Sequence, residues 1–231
     1  MLFSSFPFIL TFLPLLVVVF FSIQKSSLKK YTNLFLTIAS LYFYASSNVR
    51  YLPIIVISIM VNFLIAQLIQ KNTLYPKVIL TLGVVIDILF LAYFKYSTWI
   101  LSSIDSNFAT ISPFIPLAVS FFTFQQIAFL VDVYHHKTKE VSLLNYSLFV
   151  SFFPSLISGP ITRHDRMMPQ FLDLGNRTIN WQYIYTGLFL FIMGLTKKTL
   201  ADNYAFFANN LYAGNQSNFF WGWMGSISYT L

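Results

Sequence analysis

Apolar residues occur in long runs along the chain, and short polar segments separate one run from the next. A run of about 20 mostly apolar residues can cross a bilayer as a helix, and short spans need roughly 17. The first run lacks the basic start and small-residue cleavage site of a signal peptide, so we expect it to be retained. The pattern predicts five membrane helices, at residues 6–23, 31–45, 51–69, 78–94 and 114–133.

The pattern changes after residue 133. The run at residues 143–157 is shorter than a full span and stops at Ser158, Gly159 and Pro160, which is typical of a re-entrant or interfacial segment. A polar stretch follows at residues 162–180. No linker or internal repeat is visible, so we predict one integral membrane domain over residues 1–231. The remaining apolar runs are short and lie at residues 183–195, 204–211 and 219–231.

Composition supports a membrane location and excludes several other classes of protein. The 231 residues are 57% hydrophobic and 9% charged, whereas a soluble domain has about 25% charged residues. The same apolar content excludes intrinsic disorder. The net charge of +7 comes from basic residues scattered between apolar runs, which form no continuous patch for nucleic acid. Since the chain has no cysteine, disulfides, thiolate metal sites and cysteine nucleophiles are excluded. We predict no metal and no cofactor.

The basic residues indicate how the predicted helices are oriented. If consecutive loops alternate between the two sides, and the 143–157 segment returns to the side it left, one side receives ten Lys and Arg residues and the other receives Arg50 and Lys95. Cytoplasmic loops carry the excess of positive charge. We therefore predict an extracytoplasmic N-terminus, and we leave Lys197 and Lys198 unassigned. The ten residues of the cytoplasmic side are Lys25, Lys29, Lys30, Lys71, Lys77, Lys137, Lys139, Arg163, Arg166 and Arg177.

Asp87 lies in the middle of the fourth run, where a charged group costs at least about 2.5 kcal/mol. Two interpretations are open: Asp87 could contact a proton or a substrate, or it could form a hydrogen bond between helices. The second role is common for polar side chains in membranes, and we favour it. The same interpretation applies to Asn62 and Gln67 in the third run.

The fifth run carries several polar residues on an otherwise apolar helix. Such residues either line a hydrated cavity or tie helices together, and the sequence does not separate these two roles. Pro116 is expected in the first helical turn. At the other end of the run, a carboxylate at the predicted cytoplasmic boundary costs little, so position alone assigns it no role. The polar residues of the run are Ser120, Thr123, Gln125, Gln126 and Asp132.

The three histidines are candidates for acid–base chemistry. His135 and His136 are adjacent, so on a helix they point in different directions and do not form the i, i+4 pair of a zinc helix. His164 lies in the predicted polar stretch. We interpret all three as solvated loop residues. No serine–histidine–aspartate arrangement, phosphate loop or metal cluster can be identified in the sequence.

Several short strings occur in a fixed order along the chain. They are FYA at 43–45, FKY at 94–96, PLAVSFFTFQ at 116–125, VDVY at 131–134, FFP at 152–154, SGPITR at 158–163, GLTKK at 194–198 and AD at 201–202. Together these strings resemble the signatures of the membrane-bound O-acyltransferase (MBOAT) family, and the combination is more specific than any one of them. The resemblance extends from about residue 40 to the end of the chain, and it is greatest to the bacterial branch that acetylates alginate and other cell-envelope polymers.

The sequence departs from the family pattern at some of these positions. Ala118 and Phe122 replace a common Gly and Tyr, and His135-His136 stand where Arg-Gly is usual. Asp87 stands where Asn is usual, which favours a helix–helix role for that position. The family histidine thought to act in catalysis belongs to a second half that this sequence does not contain. The chain therefore resembles the N-terminal half of an acyltransferase, and we predict no catalytic residue in it.

The resemblance implies an all-α polytopic membrane fold and an acyl-transfer reaction. In such an enzyme an acyl group, in our reading acetyl, passes from a cytoplasmic thioester or acyl carrier to a partner protein or polysaccharide outside the bacterial inner membrane. Candidates for lining the substrate route are Ser120, Thr123, Gln125, Asp132, Ser158, Gly159 and Pro160. Arg163, Lys197 and Lys198 are candidates for contact with an anionic donor or with lipid headgroups, and interfacial anchoring is the favoured role for them.

Two other functions are open. The chain could be a non-catalytic membrane protein, as a truncated remnant or as one half that pairs with a separately encoded second half. It could also be a transporter, which Asp87 and the short 143–157 run would suit. Transporters often contain paired repeats; because no duplication is visible in the sequence, we rank the transporter last.

Overall fold

The computed structural model of the chain describes residues 3–71, 74–104, 115–138, 142–157, 159, 162–173, 178–213 and 218–230, with side chains except at 98–104, 207, 212 and 213. The regular structure of these residues is entirely helical. A short π-helical turn, Phe8–Phe12, leads into α1. The α-helices are α1 Leu13–Lys25, α2 Thr32–Ala45, α3 Tyr51–Gln70, α4 Pro76–Ile104, α5 Val119–Tyr134, α6 Leu143–Ser151, α7 Phe153–Leu156, α8 His164–Leu172, α9 Trp181–Ala213 and α10 Phe219–Thr230.

Three helical segments are long and apolar enough to cross a membrane. They are Phe8–Lys25, Tyr51–Gln70 and Pro76–Ser97, and α5 is a shorter apolar helix. These segments coincide with the first, third and fourth predicted runs, and α2 reproduces the predicted 31–45 run almost residue for residue. The fold class, an all-α polytopic membrane protein, is confirmed.

Helix α3 illustrates why these sequences form membrane helices. Its buried residues recur every three or four positions, while the opposite face carries exposed apolar residues. A helix that is apolar all round suits a lipid environment, where the outward side chains meet hydrocarbon. The buried face includes Ile55, Ile59, Asn62, Ala66 and Ile69, and the exposed face includes Ile57, Leu64 and Leu68.

The core of the first helices is rich in aromatic residues. Tyr44, Phe122, Phe129, Tyr146 and Phe149 are each at most 1% exposed. The Tyr44 hydroxyl donates a hydrogen bond of 2.8 Å to the Leu117 carbonyl, and the rings of Phe129 and Tyr146 lie 4.4 Å apart. Polar ends of buried aromatic side chains need such partners. The core therefore joins α2, α5 and α6.

Helices α3, α4 and α5 meet closely at Gly83. A Cβ atom on Gly83 would lie 2.9 Å from the side chain of Ile65 and 3.0 Å from that of Leu130. Small residues at such positions allow helix backbones to approach in membranes. Gly83 thus sets the spacing on which the polar contacts between these three helices depend.

Helix α5 starts later than the sequence predicts. Residues 111–114 lie outside the described residues, and a turn precedes the helix, which begins at Val119. Ala118 in this turn has a φ of 59°, a left-handed conformation that favours glycine. The prediction that Pro116 occupies the first helical turn is therefore wrong, because the chain reverses between Pro116 and Val119 before the helix starts.

The predicted 143–157 segment is divided into two helices. α6 ends at Ser151, Phe152 has a non-helical ψ of 108°, and α7 begins at Phe153 with Pro154 in its first turn. Proline is tolerated in a first turn because its missing N–H has no helical partner there. The interrupted form is compatible with a segment that dips and returns, and the re-entrant path stays a prediction.

The polar stretch at 162–180 contains a helix that the sequence analysis does not predict. α8 places His164, Met167 and Met168 against the core and its polar residues outside. Its polar composition hides this amphipathic pattern, which covers only two turns. Arg177 lies outside the described residues.

The chain divides into two compact units, Met1–Thr178 and Ile179–Leu231. Within the second unit, α9 is one continuous helix of 33 residues, and it contains both the 183–195 and the 204–211 apolar runs. Lys197 and Lys198 lie in the middle of α9, and α10 packs against α9 with Ala208 and Gly225 buried.

Candidate functional site

The polar residues of α5 lie at three levels along the helix. Ser120 is near its first turn, Gln125 and Gln126 are in the middle, and Asp132 is in the last turn. At 1.5 Å per residue, Ser120 and Asp132 are about 18 Å apart along the axis. The route-lining candidates on α5 are thus distributed along the helix, and each level has its own partners.

At the first level, Ser120 lies beside Lys95 of α4. The Nζ atom of Lys95 is 3.4 Å from Oγ of Ser120 and 5.5 Å from the ring centre of Tyr96. One turn further on, the buried Thr123 hydroxyl donates to the carbonyl of Val119 on its own helix. Ser120 therefore has a cationic neighbour, whereas the hydrogen bond of the Thr123 hydroxyl stays within α5.

At the middle level, polar side chains connect α3, α4 and α5. Oγ of Ser58 donates to Oε1 of Gln126 at 2.7 Å. Nδ2 of Asn62 lies 2.8 Å from Oδ1 of Asp87 and 3.2 Å from Oε1 of Gln126. All four side chains are at most 5% exposed. The prediction of helix–helix hydrogen bonds is confirmed for Asp87 and Asn62; no side-chain hydrogen bond of Gln67 is seen among the described residues.

Gln125 points to a different neighbour from Gln126. Its Nε2 atom donates to the carbonyl of Phe149 on α6 at 3.0 Å. The N–H of Phe153, which starts α7, donates to Oγ of Ser40 on α2 at 3.4 Å. Both hydrogen bonds involve backbone groups on either side of the interruption between α6 and α7. Gln125 thus supports the broken helix.

At the third level, Asp132 is the centre of an ion-pair cluster. Its Oδ1 atom lies 3.5 Å from Arg163 and 3.7 Å from Lys137, and Arg163 also contacts Asp165 at 2.7 Å. Asp132 is 6% exposed, whereas the side chains of Arg163 and Lys137 are 42% and 49% exposed. Position alone assigned Asp132 no role, and the tertiary structure assigns it the anchoring of α8 through Arg163.

His164 is buried, so its prediction as a solvated residue is wrong. It is 8% exposed, and its ring lies 4.9 Å from that of Phe129 and 5.1 Å from that of Phe149. Burial lowers the pKa of His164 to about 4, against the opposing effect of Asp132 and Asp165. The imidazole is therefore neutral at physiological pH. His135 and His136 are exposed, as predicted.

The remaining candidates are Ser158, Gly159 and Pro160 in the first unit, and Lys197 and Lys198 in the second unit. Ser158 and Pro160 lie outside the described residues. Gly159 makes a close backbone contact, since a Cβ atom there would lie 2.5 Å from Cα of Ser155. Lys197 and Lys198 are exposed on α9, and Lys198 pairs with Asp202 one turn away.

Comparisons with known proteins relate the whole chain to bacterial acetylating enzymes. A peptidoglycan O-acetyltransferase of Helicobacter pylori is 38% identical over all of this chain and 50% of its own length. Probable alginate O-acetylases AlgI of Pseudomonas syringae pv. tomato and Pseudomonas aeruginosa are 32% identical over all of this chain and 46% and 45% of their own lengths. These similarities agree with the resemblance of the chain to the membrane-bound O-acyltransferase family. It spans about half the length of the curated relatives it matches.

Two other comparisons found no match. No family model matches the chain, and no solved structure matches it. In the part of the chain that the structure describes, no group of three or more His, Asp or Glu side chains is arranged to hold a metal ion.

Two polar residues that take part in these contacts, Ser58 and Ser40, were not predicted from the sequence. Ser58 lies one helical turn before Asn62 and completes the middle level; the i, i+4 spacing of Ser58 and Asn62 is the signal that could have revealed it. Oγ of Ser40 accepts a hydrogen bond from the N–H of Phe153. No local sequence pattern predicts this role for Ser40, because its partner is 113 residues away.

Proposed function

We propose that this chain forms part of a membrane O-acyltransferase that transfers an acetyl group to a cell-envelope or exported polysaccharide. The observation that carries the proposal is the 38% and 32% identity, over the whole chain, to proteins named peptidoglycan O-acetyltransferase and probable alginate O-acetylase. The acyl donor in this proposal is a cytoplasmic thioester or acyl carrier. The acceptor is a polysaccharide, or a partner protein that delivers the acetyl group to it.

In the proposed reaction a hydroxyl oxygen attacks the acyl carbon and the bond to the donor sulfur breaks. A base within hydrogen-bond reach must remove the hydroxyl proton. Among the described residues, the histidines offer little for this task, because His164 is enclosed by aromatic rings and His135 and His136 are exposed beside a helix end. We therefore assign this chain a supporting role, in which it supplies the helical frame and the ion-pair cluster at the end of α5.

The proposal includes a location. We place the chain in the bacterial inner membrane with its N-terminus outside, because the basic residues collect on one predicted side. The Asp132–Arg163 cluster and α8 then face the cytoplasm, where a thioester donor is present. Arg163 is the cation of that cluster that we assign to contact with an anionic donor or a lipid headgroup, since 42% of its side chain stays exposed while it pairs with Asp132.

The test is a chimera. This chain replaces the matching segment of the Helicobacter pylori relative, in cells that lack their own peptidoglycan O-acetyltransferase, and base-labile acetate is measured on purified peptidoglycan. We expect acetate with the chimera and none with the 231-residue chain expressed alone. The unchanged relative is the positive control, and membrane fractions are probed for each polypeptide.

Two outcomes would contradict the proposal. A chimera that is present in the membrane at the level of the control but leaves no acetate would favour the non-catalytic alternative. Acetate produced by this chain alone, and lost on His164→Ala or His136→Ala, would overturn the supporting role that we assign to it. The transporter ranks last because Asp87 is occupied in a helix–helix contact with Asn62.

A further inference from the structure

We propose that Asp87 carries a proton in the folded protein and pairs with Asn62 through two hydrogen bonds, as a neutral acid–amide lock between α3 and α4. Asp87 and Asn62 are 2% and 1% exposed. Nδ2 of Asn62 donates to Oδ1 of Asp87 at 2.8 Å. This contact is one half of the cyclic pair that a carboxylic acid forms with an amide.

The second half follows from the two atoms that remain. Oδ2 of Asp87 and Oδ1 of Asn62 are both buried, and within the described structure neither has a hydrogen-bond partner. Both are acceptors when Asp87 is ionised, so they cannot satisfy each other. A proton on Oδ2 of Asp87 turns that atom into a donor, and Oδ1 of Asn62 can then accept the hydrogen bond. One hydrogen thus satisfies two buried atoms, which are costly to leave unpaired.

The orientation of the Asn62 amide is set by its surroundings. Its nitrogen lies next to three acceptors, namely Oδ1 of Asp87, Oε1 of Gln126 and the backbone carbonyl of Ser58. Exchanging the amide oxygen and nitrogen would place an acceptor against these three acceptors. The amide oxygen therefore faces away from these three acceptors, and in the proposed pair its donor is the Asp87 proton.

Among the described residues, the groups around Asp87 provide no compensating positive charge. α3 contributes Ser58 and Asn62, α5 contributes Gln126, and α6 contributes Tyr146, whose hydroxyl lies beside the Gln126 side chain. Asp132, Asp165 and Asp202 form ion pairs with Lys or Arg, whereas no ion pair of Asp87 is seen among the described residues. An unpaired carboxylate within a membrane helix is expensive, and a neutral acid with two hydrogen bonds removes that cost.

Infrared spectroscopy of the full chain in lipid tests the proposal directly. At neutral pH we expect a carbonyl stretching band of a protonated carboxylic acid, which shifts in D2O. The band should disappear in Asp87→Asn. It should persist in the matched control Asp132→Asn, because Asp132 is paired with Arg163 and Lys137.

Thermal melting gives a second and independent readout. Asp87→Asn replaces the acid O–H by an amide N–H, so we expect its melting temperature to stay near that of the wild type, while Asp87→Ala melts several degrees lower. Wild-type protein without the acid band, or a band that survives Asp87→Asn, would overturn the proposal. So would Asp87→Asn melting as low as Asp87→Ala. If Asp87→Asn fails to accumulate, the acid band of the wild type is compared with that of Asn62→Ala. A band at higher frequency in Asn62→Ala supports the lock, and an unchanged frequency contradicts it.

Discussion

The side-chain amide of Gln125 donates a hydrogen bond to the backbone carbonyl of Phe149, 3.0 Å away on a neighbouring helix. In an uninterrupted helix, this carbonyl would accept from the N–H of Phe153, but that N–H donates to Oγ of Ser40 instead. Backbone groups released by a broken helix must find partners when water is absent. Gln125 and Ser40 supply them, which explains how the chain can break at Phe152.

Replacing Gln125 by leucine tests this relationship. Gln125→Leu keeps an apolar side chain of similar size but leaves the Phe149 carbonyl without its side-chain donor. We expect a loss of roughly 1–2 kcal/mol in the free energy of unfolding, measured by denaturation in detergent. Gln67→Leu is the matched control, since no side-chain hydrogen bond of Gln67 is seen among the described residues. Equal stability of the two variants would refute the role of Gln125.

Gly159 is predicted to be intolerant of any side chain. A Cβ atom would lie 2.5 Å from Cα and 2.9 Å from the carbonyl oxygen of Ser155, and backbone atoms cannot move aside as a flexible side chain can. Gly159→Ala should cost roughly 1–3 kcal/mol, visible as a lower melting temperature. Gly194→Ala is the control, because a Cβ atom there has no neighbour within 4 Å. A Gly159→Ala protein with the same melting temperature as Gly194→Ala would disprove the close contact.

His164 should make stability depend on pH. Its pKa is about 6.5 in an unfolded chain and about 4 in the folded one, because burial disfavours the charged form. The unfolded state therefore binds more protons between these values, so stability is constant above about pH 6.5 and decreases as the pH falls towards 4. The loss reaches at most about 3 kcal/mol for this shift.

The variant His164→Phe isolates this effect from the titration of carboxylates. Phenylalanine fills the space between Phe129 and Phe149 but carries no proton, so the difference in melting temperature between wild type and variant should change across pH 6.5 to 4. The exposed His136 is the control, and His136→Ala should keep the wild-type pH dependence. A wild type and a His164→Phe protein with parallel pH profiles would contradict the burial of a neutral imidazole.

The orientation can be tested with single cysteines, because the chain contains none. Val49 lies in the exposed turn between α2 and α3, and Lys71 lies at the exposed end of α3. We expect a membrane-impermeant maleimide to label Val49→Cys in intact spheroplasts and Lys71→Cys only after permeabilisation. The reverse labelling pattern would invert the predicted topology and place the Asp132–Arg163 cluster outside.

The sequence was a good guide to the long helices and a poor one to the short ones. Residues 51–69 and 78–94 were recognised because twenty or so apolar residues in a row have few structural alternatives. α8 was missed because two turns of mixed polarity resemble a loop. The break at Phe152 was missed as well, since its stability depends on Ser40 and Gln125, and neither is near Phe152 in sequence.

For the candidate site, the sequence identified residue types but not their partners. It singled out Asp87, Asn62, Gln125 and Asp132 as polar groups that need an explanation. It placed His164 in solvent, because the neighbours Arg163, Asp165 and Arg166 are polar. Only the packing of α8 against Phe129 and Phe149 buries the ring.

The sequence by itself therefore determined the membrane location, the long helices and the family resemblance, because hydrophobic run length and ordered motifs are local properties of the chain. The tertiary structure alone decided that Gln125 supports a broken helix, that Asn62 holds Asp87, and that Asp132 anchors α8 through Arg163. The reason is physical. A buried polar group is stabilised by whichever partner folding brings within about 3 Å of it, and such partners are separated here by 24 to 31 residues.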